Sequence, residues 1–231
     1  VRSRGLGDVY KRQPLYNVDH TLGILSIFTP ESVKKVDLYK SSFPARYGGR
    51  LSSVIDVRTN DGDMRNYHGS LTIGLLTSRM HFEGPLWKDR TSFIISARRS
   101  YADLIIKPFM DKDTKGGYYL YDINTKLNHR FSDRDRLFFS FYHGKDHASF
   151  TNTSSYYFEE EKETDTRERQ VMAWGSTLGA LRWNHIVSNR LFHNITLSYN
   201  RFRFNIKNNF TSANKHLDSQ YYSGIEDWGL T

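Results

Sequence analysis

From Tyr67 onward, apolar and polar residues alternate in steps of two, and polar turns separate the alternating runs. That period puts successive side chains on opposite faces and predicts strands rather than helices. Leu71, Ile73 and Leu75 share one face against Ser70, Thr72 and Gly74, and Met80 and Phe82 oppose Arg79, His81 and Glu83. Residues 87–90 read as a turn, and residues 91–105 as a strand with Phe93, Ile95, Ala97 and Tyr101 on one side. The clearest run sets Tyr119, Tyr121, Ile123, Thr125, Leu127 and Phe131 against Asp122, Asn124, Lys126, Asn128 and Arg130.

A soluble β-sandwich alternates too, but its apolar face needs a second sheet, whereas in a membrane barrel that face meets lipid and aromatics gather at the ends of the band. Tyr119 and Phe131 are twelve residues apart. This is ~40 Å along a strand, or ~28 Å for a strand tilted by ~45°, the height of a hydrocarbon core. Connections alternate as well. Residues 132–136 and 187–190 are short, while 106–118, 151–169 and 211–220 are long and polar, as brief periplasmic turns and long external loops would be. About eight strands result, an arc of a plugged barrel of roughly 22.

Two places break the alternation. Arg98 and Arg99 are adjacent, so one takes the lipid-facing parity unless a bulge intervenes, and a position near the outer rim beside Tyr101 is expected. In the seventh strand Leu191, Ile195, Leu197 and Tyr199 define one parity while Phe202, Phe204 and Ile206 take the other; a bulge near Asn200 and Arg201 would reconcile them.

Composition agrees with strands: 38% of the 231 residues are hydrophobic and 15% aromatic. No run is long enough for a membrane-spanning helix, which leaves barrels untouched. The net charge of +8 is spread along the chain among 25 acidic residues, so no compact basic patch indicates nucleic acid. On loops and rims of a barrel these cations would meet anionic lipid head groups. The lack of cysteine removes disulfide frameworks and thiolate metal sites.

The most informative stretch lies earlier. Thr29 is placed to cap a helix starting at Pro30, with Glu31 in its first turn. Val33, Val36 and Leu38 then shift to strand spacing, ending at Tyr39. Pro44, Arg46, Tyr47, Gly48, Gly49 and Arg50 form a glycine-hinged turn, because the Gly pair takes positive φ without steric cost, and the chain runs on into the alternating strand Leu-Ser-Ser-Val-Ile-Asp-Val-Arg-Thr. A surface hairpin with solvated arginines is the plain alternative.

The run "ESVKKVDLYKSSFPARYGGRLSSVIDVRT" resembles the end of a TonB-dependent receptor plug, the small α/β domain that fills an outer-membrane β-barrel. "GPLWKDRTSFIISARRSYADL" and "YDINTKLNHRFSDRDRLFFSFY" are similar to members that carry a carboxypeptidase-regulatory-like domain before the plug. The fold expected is therefore all-β, a partial transmembrane antiparallel barrel over residues 64–231 preceded by the C-terminal part of the plug over residues 14–63. Residues 1–13 are set aside, because Asp8-Val9-Tyr10-Lys11-Arg12-Gln13 resembles the translation of a sequencing-library adaptor.

The resemblance implies bacterial outer-membrane uptake of a siderophore, glycan or peptide, driven by an inner-membrane energy-transducing complex that contacts a segment upstream of this chain. It calls for no cofactor, allows a surface lipoprotein partner, and leaves the substrate-binding residues open. Arg46 and Arg50 would pair with carboxylates on the barrel wall.

Enzyme chemistry finds little support. His143 and His147 flank Asp146 but lack the HExxH glutamate. Residues 111–122 match a calcium loop poorly, with Lys115 in place of a ligand and Asp122 in place of the bidentate Glu. No metal or catalytic site is expected, and the alternative function is a secreted β-sandwich that binds or degrades carbohydrate.

Overall fold

The computed structural model describes residues 6–10, 13–14, 19–20, 23, 25–40, 53–111, 113–158, 161–212 and 215–231. A small four-stranded sheet runs in the order β2 (Gln13–Pro14), β1 (Leu6–Tyr10), β6 (Ser53–Thr59), β5 (Val33–Lys40). Strand β6 pairs parallel to β1, from Leu6 with Ser53 to Tyr10 with Val57, and antiparallel to β5. The segment set aside as a leader thus supplies one strand of this sheet. A separate two-stranded pair joins β3 (Asp19–His20) to β4 (Leu25–Ser26).

The helix expected after Thr29 is a single 3-10 turn, Pro30–Ser32, closed by the Ser32 amide on the Thr29 carbonyl at 3.0 Å. The Thr29 hydroxyl makes no capping bond to the backbone and turns to Ser32 Oγ instead. Val33 and Val36 explain the shortness: β-branched side chains disfavour the helix and suit the ladder with β6 that starts at Val33. The turn formed by Pro44, Arg46, Tyr47, Gly48, Gly49 and Arg50 lies outside the described residues.

The larger sheet is an eight-stranded antiparallel meander. Its strands are β7 (His68–Ile73), β8 (Thr77–Trp87), β9 (Thr91–Ser100), β10 (Thr114–Arg130), β11 (Asp135–Phe158), β12 (Glu161–Ser188), β13 (Leu191–Ser212) and β14 (Lys215–Leu230). Sequence neighbours are spatial neighbours throughout, and β7 and β14 form the two edges. In the β8–β9 turn Asp89 has φ 61°, a left-handed conformation that Asp tolerates better than most residues.

The two faces differ as the alternation predicts. Leu71, Ile73, Met80, Phe82, Ile123, Phe139, Leu181, Ile195 and Leu197 are exposed on one face. On the other, Ser92, Ser96, Arg98, Asp122, Asn124, Lys126, Asn128 and Ser140 are buried. Among the described residues the buried polar side chains outnumber the buried apolar ones, the reverse of a soluble core. Segments that precede the large sheet cover its polar face, and Ile27, with Phe28 beside it, packs on Tyr142 and Leu178.

Two expectations are corrected by the register. No bulge occurs near Asn200, since β13 pairs without a shift on both sides there. The strand instead carries apolar residues on different faces at different heights, Leu197 and Tyr199 outward and Phe204 inward against Trp174 and Tyr221. The stretches 151–169 and 211–220 are not loops but continuations of the ladder, from Thr151 opposite Arg169 to Phe158 opposite Glu161, and from Thr211 opposite His216 to Ser212 opposite Lys215. Their polar composition hides strands, because the ladder satisfies the backbone groups whatever the side chains are. The strand expected over residues 91–105 ends at Ser100, and helix α1 (Ala102–Ile106) and a 3-10 turn, Lys107–Phe109, follow it before β10 starts at Thr114, inside the stretch 106–118 read as a loop.

Candidate functional site

Charged side chains on the polar face of the large sheet converge on the segments that cover it. Alternation along β10 points Asp122, Asn124, Lys126 and Asn128 inward, and the register sets Arg98 of β9 directly opposite Asp122. Arg98 grips that carboxylate with two nitrogens, Nε at 2.8 Å and Nη2 at 2.6 Å, and Nη2 also donates to the Ser26 carbonyl of β4 at 2.7 Å. A planar fork is suited to this shared role, since it can hold a carboxylate and still spare a donor. Arg99 turns outward, its guanidinium 4.7 Å from the Tyr119 ring centre and 3.7 Å from Asp103 of α1. The arginine pair therefore divides between the faces without a bulge.

His20 of β3 sits in the middle of this inward cluster. Its Nδ1 lies 2.6 Å from Asp146 of β11, and its Nε2 lies 3.2 Å from Asp122 and 3.3 Å from the Tyr142 hydroxyl. The Tyr118 hydroxyl donates to the other oxygen of Asp146. His20, Asp122 and Asp146 are almost wholly buried, so neither carboxylate leans on water for its charge. Burial by itself disfavours the imidazolium, but hydrogen bonds to Asp122 and Asp146, helped by their charge, outweigh it and raise the His20 pKa above 6.5. With His20 protonated, two cations face two anions and the cluster is neutral.

A second anchor lies lower on the same strand. Lys126 Nζ, also buried, donates to the Asn60 carbonyl at 2.6 Å, to the Thr59 carbonyl at 3.2 Å and to the Asp61 carboxylate. The Ser92 hydroxyl of β9 donates to the Asp61 carbonyl at 2.7 Å. Nearer the surface, Arg79 of β8 faces Glu31 at 3.6 Å. Three cations of the large sheet, Arg98, Lys126 and Arg79, thus reach backbone carbonyls or carboxylates of the covering segment.

This arrangement binds and positions; it does not resemble a reaction centre. Asp146 faces inward while His143 bonds Thr177 at 2.9 Å and His147 stacks on Tyr119 at 4.8 Å, so the three do not converge. Among the described residues no group of three or more His, Asp or Glu side chains is placed to hold a metal ion. Asp122 of the calcium-loop match lies on β10 in the grip of Arg98. Above the charged cluster, Tyr118, Trp174, Phe204 and Tyr221 make a continuous aromatic row on the inner face, each ring centre within 6.5 Å of the next.

The anchors named from the sequence, Arg46 and Arg50 with Pro44, Tyr47, Gly48 and Gly49, lie outside the described residues, and the anchors seen are different ones. A signal for them was present: Asp122 and Lys126 take the parity opposite to the apolar face, where a buried charge must find a partner.

No family model matches the chain, and no curated protein matches it. Among solved structures it is similar to the siderophore receptor PirA from Acinetobacter baumannii, with 13% identity and a TM-score of 0.45 over 96% of this chain and 50% of that one. It is also similar to a mutant of the ferric enterobactin receptor PfeA from Pseudomonas aeruginosa, solved with enterobactin, with 12% identity and a TM-score of 0.43 over 97% of this chain and 51% of that one. The chain spans about half the length of each.

Proposed function

We propose that this chain is part of a TonB-dependent receptor of the bacterial outer membrane, comprising the end of its plug and eight strands of its barrel wall. The observation that carries the reading is the inverted sheet: one face exposes Leu71, Ile73, Ile123, Leu181 and Leu197, while the opposite face buries Arg98, Asp122 and Lys126 beneath a small domain. In water such a sheet would leave its apolar side unpaid; in a bilayer that side meets lipid and the polar side meets a filled lumen. The inward aromatic row offers an imported solute a stacking surface above the plug. The substrate belongs to the classes such receptors import, siderophores, glycans or peptides, and an inner-membrane complex supplies the energy.

The test is fractionation of the full-length receptor expressed in a Gram-negative host. It is expected in the outer membrane, resistant to alkaline carbonate and shifted in electrophoretic mobility on heating. Release by carbonate as a soluble monomer would overturn the proposal in favour of a secreted sandwich.

A further inference from the structure

The outward face of the large sheet carries a cationic row that includes Arg99, Lys145 and Arg203. The ladder sets Arg99 opposite Tyr121, Tyr121 opposite Lys145, Lys145 opposite Gly175 and Gly175 opposite Arg203, so one row crosses five strands. The next row toward the β10–β11 turn holds Ile123, His143, Thr177 and Arg201. Two rows further on lie Leu127, Phe139, Leu181 and Leu197, the middle of the apolar band. At Gly175 the β11 backbone comes so close that a Cβ would strike the Gly144 carbonyl oxygen, and beside it a recess of about 320 Å³ opens, lined by Tyr121, His143, Lys145, Arg201, Arg203 and Tyr222 among others.

Among the described residues the charges around this recess are not balanced. Arg99 has Asp103 as its partner, but among the described residues no ion pair engages Lys145, Arg201 or Arg203. Glu226 is opposite Arg201 in the register, which leaves the recess with an excess of positive charge. Like cations around one recess repel one another, and a shared anion relieves the repulsion. Two arginine forks of β13 and a lysine ammonium of β11, which line one recess across β12, match the oxygens of a phosphate group. The height of the recess, just beyond the apolar band on the lipid-facing side, is that of a head group whose chains lie along Leu197, Leu181 and Ile123.

We propose that Lys145, Arg201 and Arg203 bind the phosphate of an anionic lipid head group in the leaflet surrounding the barrel. The inference rests on the membrane reading of this sheet and adds a ligand class and a place for it. Tyr121 and Tyr222 border the head group.

The full-length receptor, purified in nonionic detergent, is titrated with dioctanoyl phosphatidic acid, dioctanoyl phosphatidylcholine and inorganic phosphate, with binding read by native mass spectrometry. Phosphatidic acid is expected to bind about tenfold or more tighter than phosphatidylcholine. The combined variant Lys145→Gln, Arg201→Gln, Arg203→Gln should lose that preference, and inorganic phosphate at equal concentration should not displace the lipid. A preference retained in the variant overturns the site, and displacement by inorganic phosphate assigns the recess to a free anion instead. Should the triple variant not assemble, Arg203→Gln on its exposed side chain makes the same comparison, and an unchanged preference again overturns the site. A receptor released from membranes by carbonate removes the membrane reading and this site together; a carbonate-resistant receptor with unchanged lipid preference removes the site alone.

Discussion

His20 Nδ1 stands 2.6 Å from Asp146 Oδ2 across 126 positions of chain, and the same ring reaches Asp122 at 3.2 Å through its other nitrogen. A two-residue strand is thereby fixed to the wall by side-chain charge, since its own ladder is too short to hold it.

His20 binds a proton more tightly in the folded protein than in the unfolded chain. The stabilisation is therefore fully present below the unfolded value of about 6.5 and is lost as pH rises through the higher folded value. Hydrogen exchange of residues 19–28 in the full-length receptor is expected to quicken between mildly acidic and alkaline pH. His20→Gln should remove that pH dependence, whereas dependence unchanged by the substitution would locate the titrating group elsewhere. Asp146→Asn strands a buried cation and should cost about 3 kcal/mol.

Lys126 secures the exit of the small sheet through the carbonyls of Thr59 and Asn60 and the carboxylate of Asp61. Lys126→Met keeps the length and apolar stem but removes the donor to Asp61 and to the Thr59 and Asn60 carbonyls. A loss of about 3 kcal/mol in plug stability is expected, with barrel assembly unchanged. Proteolysis after residue 59 should accelerate in the variant; equal cleavage rates would show the contact to be dispensable.

Topology is checked by cysteine labelling. Ile123→Cys and Leu197→Cys should react with a lipid-phase probe, and Asn194→Cys and Ser198→Cys with an aqueous one. Asn124→Cys should resist both, because the covering segment buries that position. Equal labelling of the two faces would rule out a membrane barrel.

Arg46 and Arg50 are proposed to add further ties between plug and wall. Their joint replacement by Ala in the intact receptor should raise passive permeability to small antibiotics while surface expression stays normal, with Lys restoring it in part. Unchanged permeability would mark both arginines as solvated.

Legibility in the sequence followed the environment of each face. Strand β10 was readable because Ile123 and Leu127 lie on the more exposed face while Asp122 and Lys126 are buried on the other, so the alternation has full contrast. The far halves of β11 and β12 read as loops because neither face near Thr151 and Arg169 carries an apolar set, and the hydrogen-bond ladder leaves no trace in side-chain pattern. His20 was invisible for another reason. Its neighbours form no periodic run, and its importance comes from a fold contact with Asp122 and Asp146 that no local window contains. The division of Arg98 and Arg99 between faces followed from parity alone, but which partner each would take depended on register.

Strands β11 and β12, of 24 and 28 residues, continue as a paired ribbon well past the apolar band. At ~3.4 Å per residue and a tilt of ~45°, the shorter one climbs roughly 55 Å against a band of about 25 Å. Because the projecting part is ladder rather than loop, it changes length in whole notches. One inserted residue between Ala148 and Ser155 would swap every side chain beyond it between the inner and outer surfaces, while two would raise the hairpin and leave each surface intact. Such a turret can grow taller or shorter without altering what it shows to the lumen, provided it does so two residues at a time.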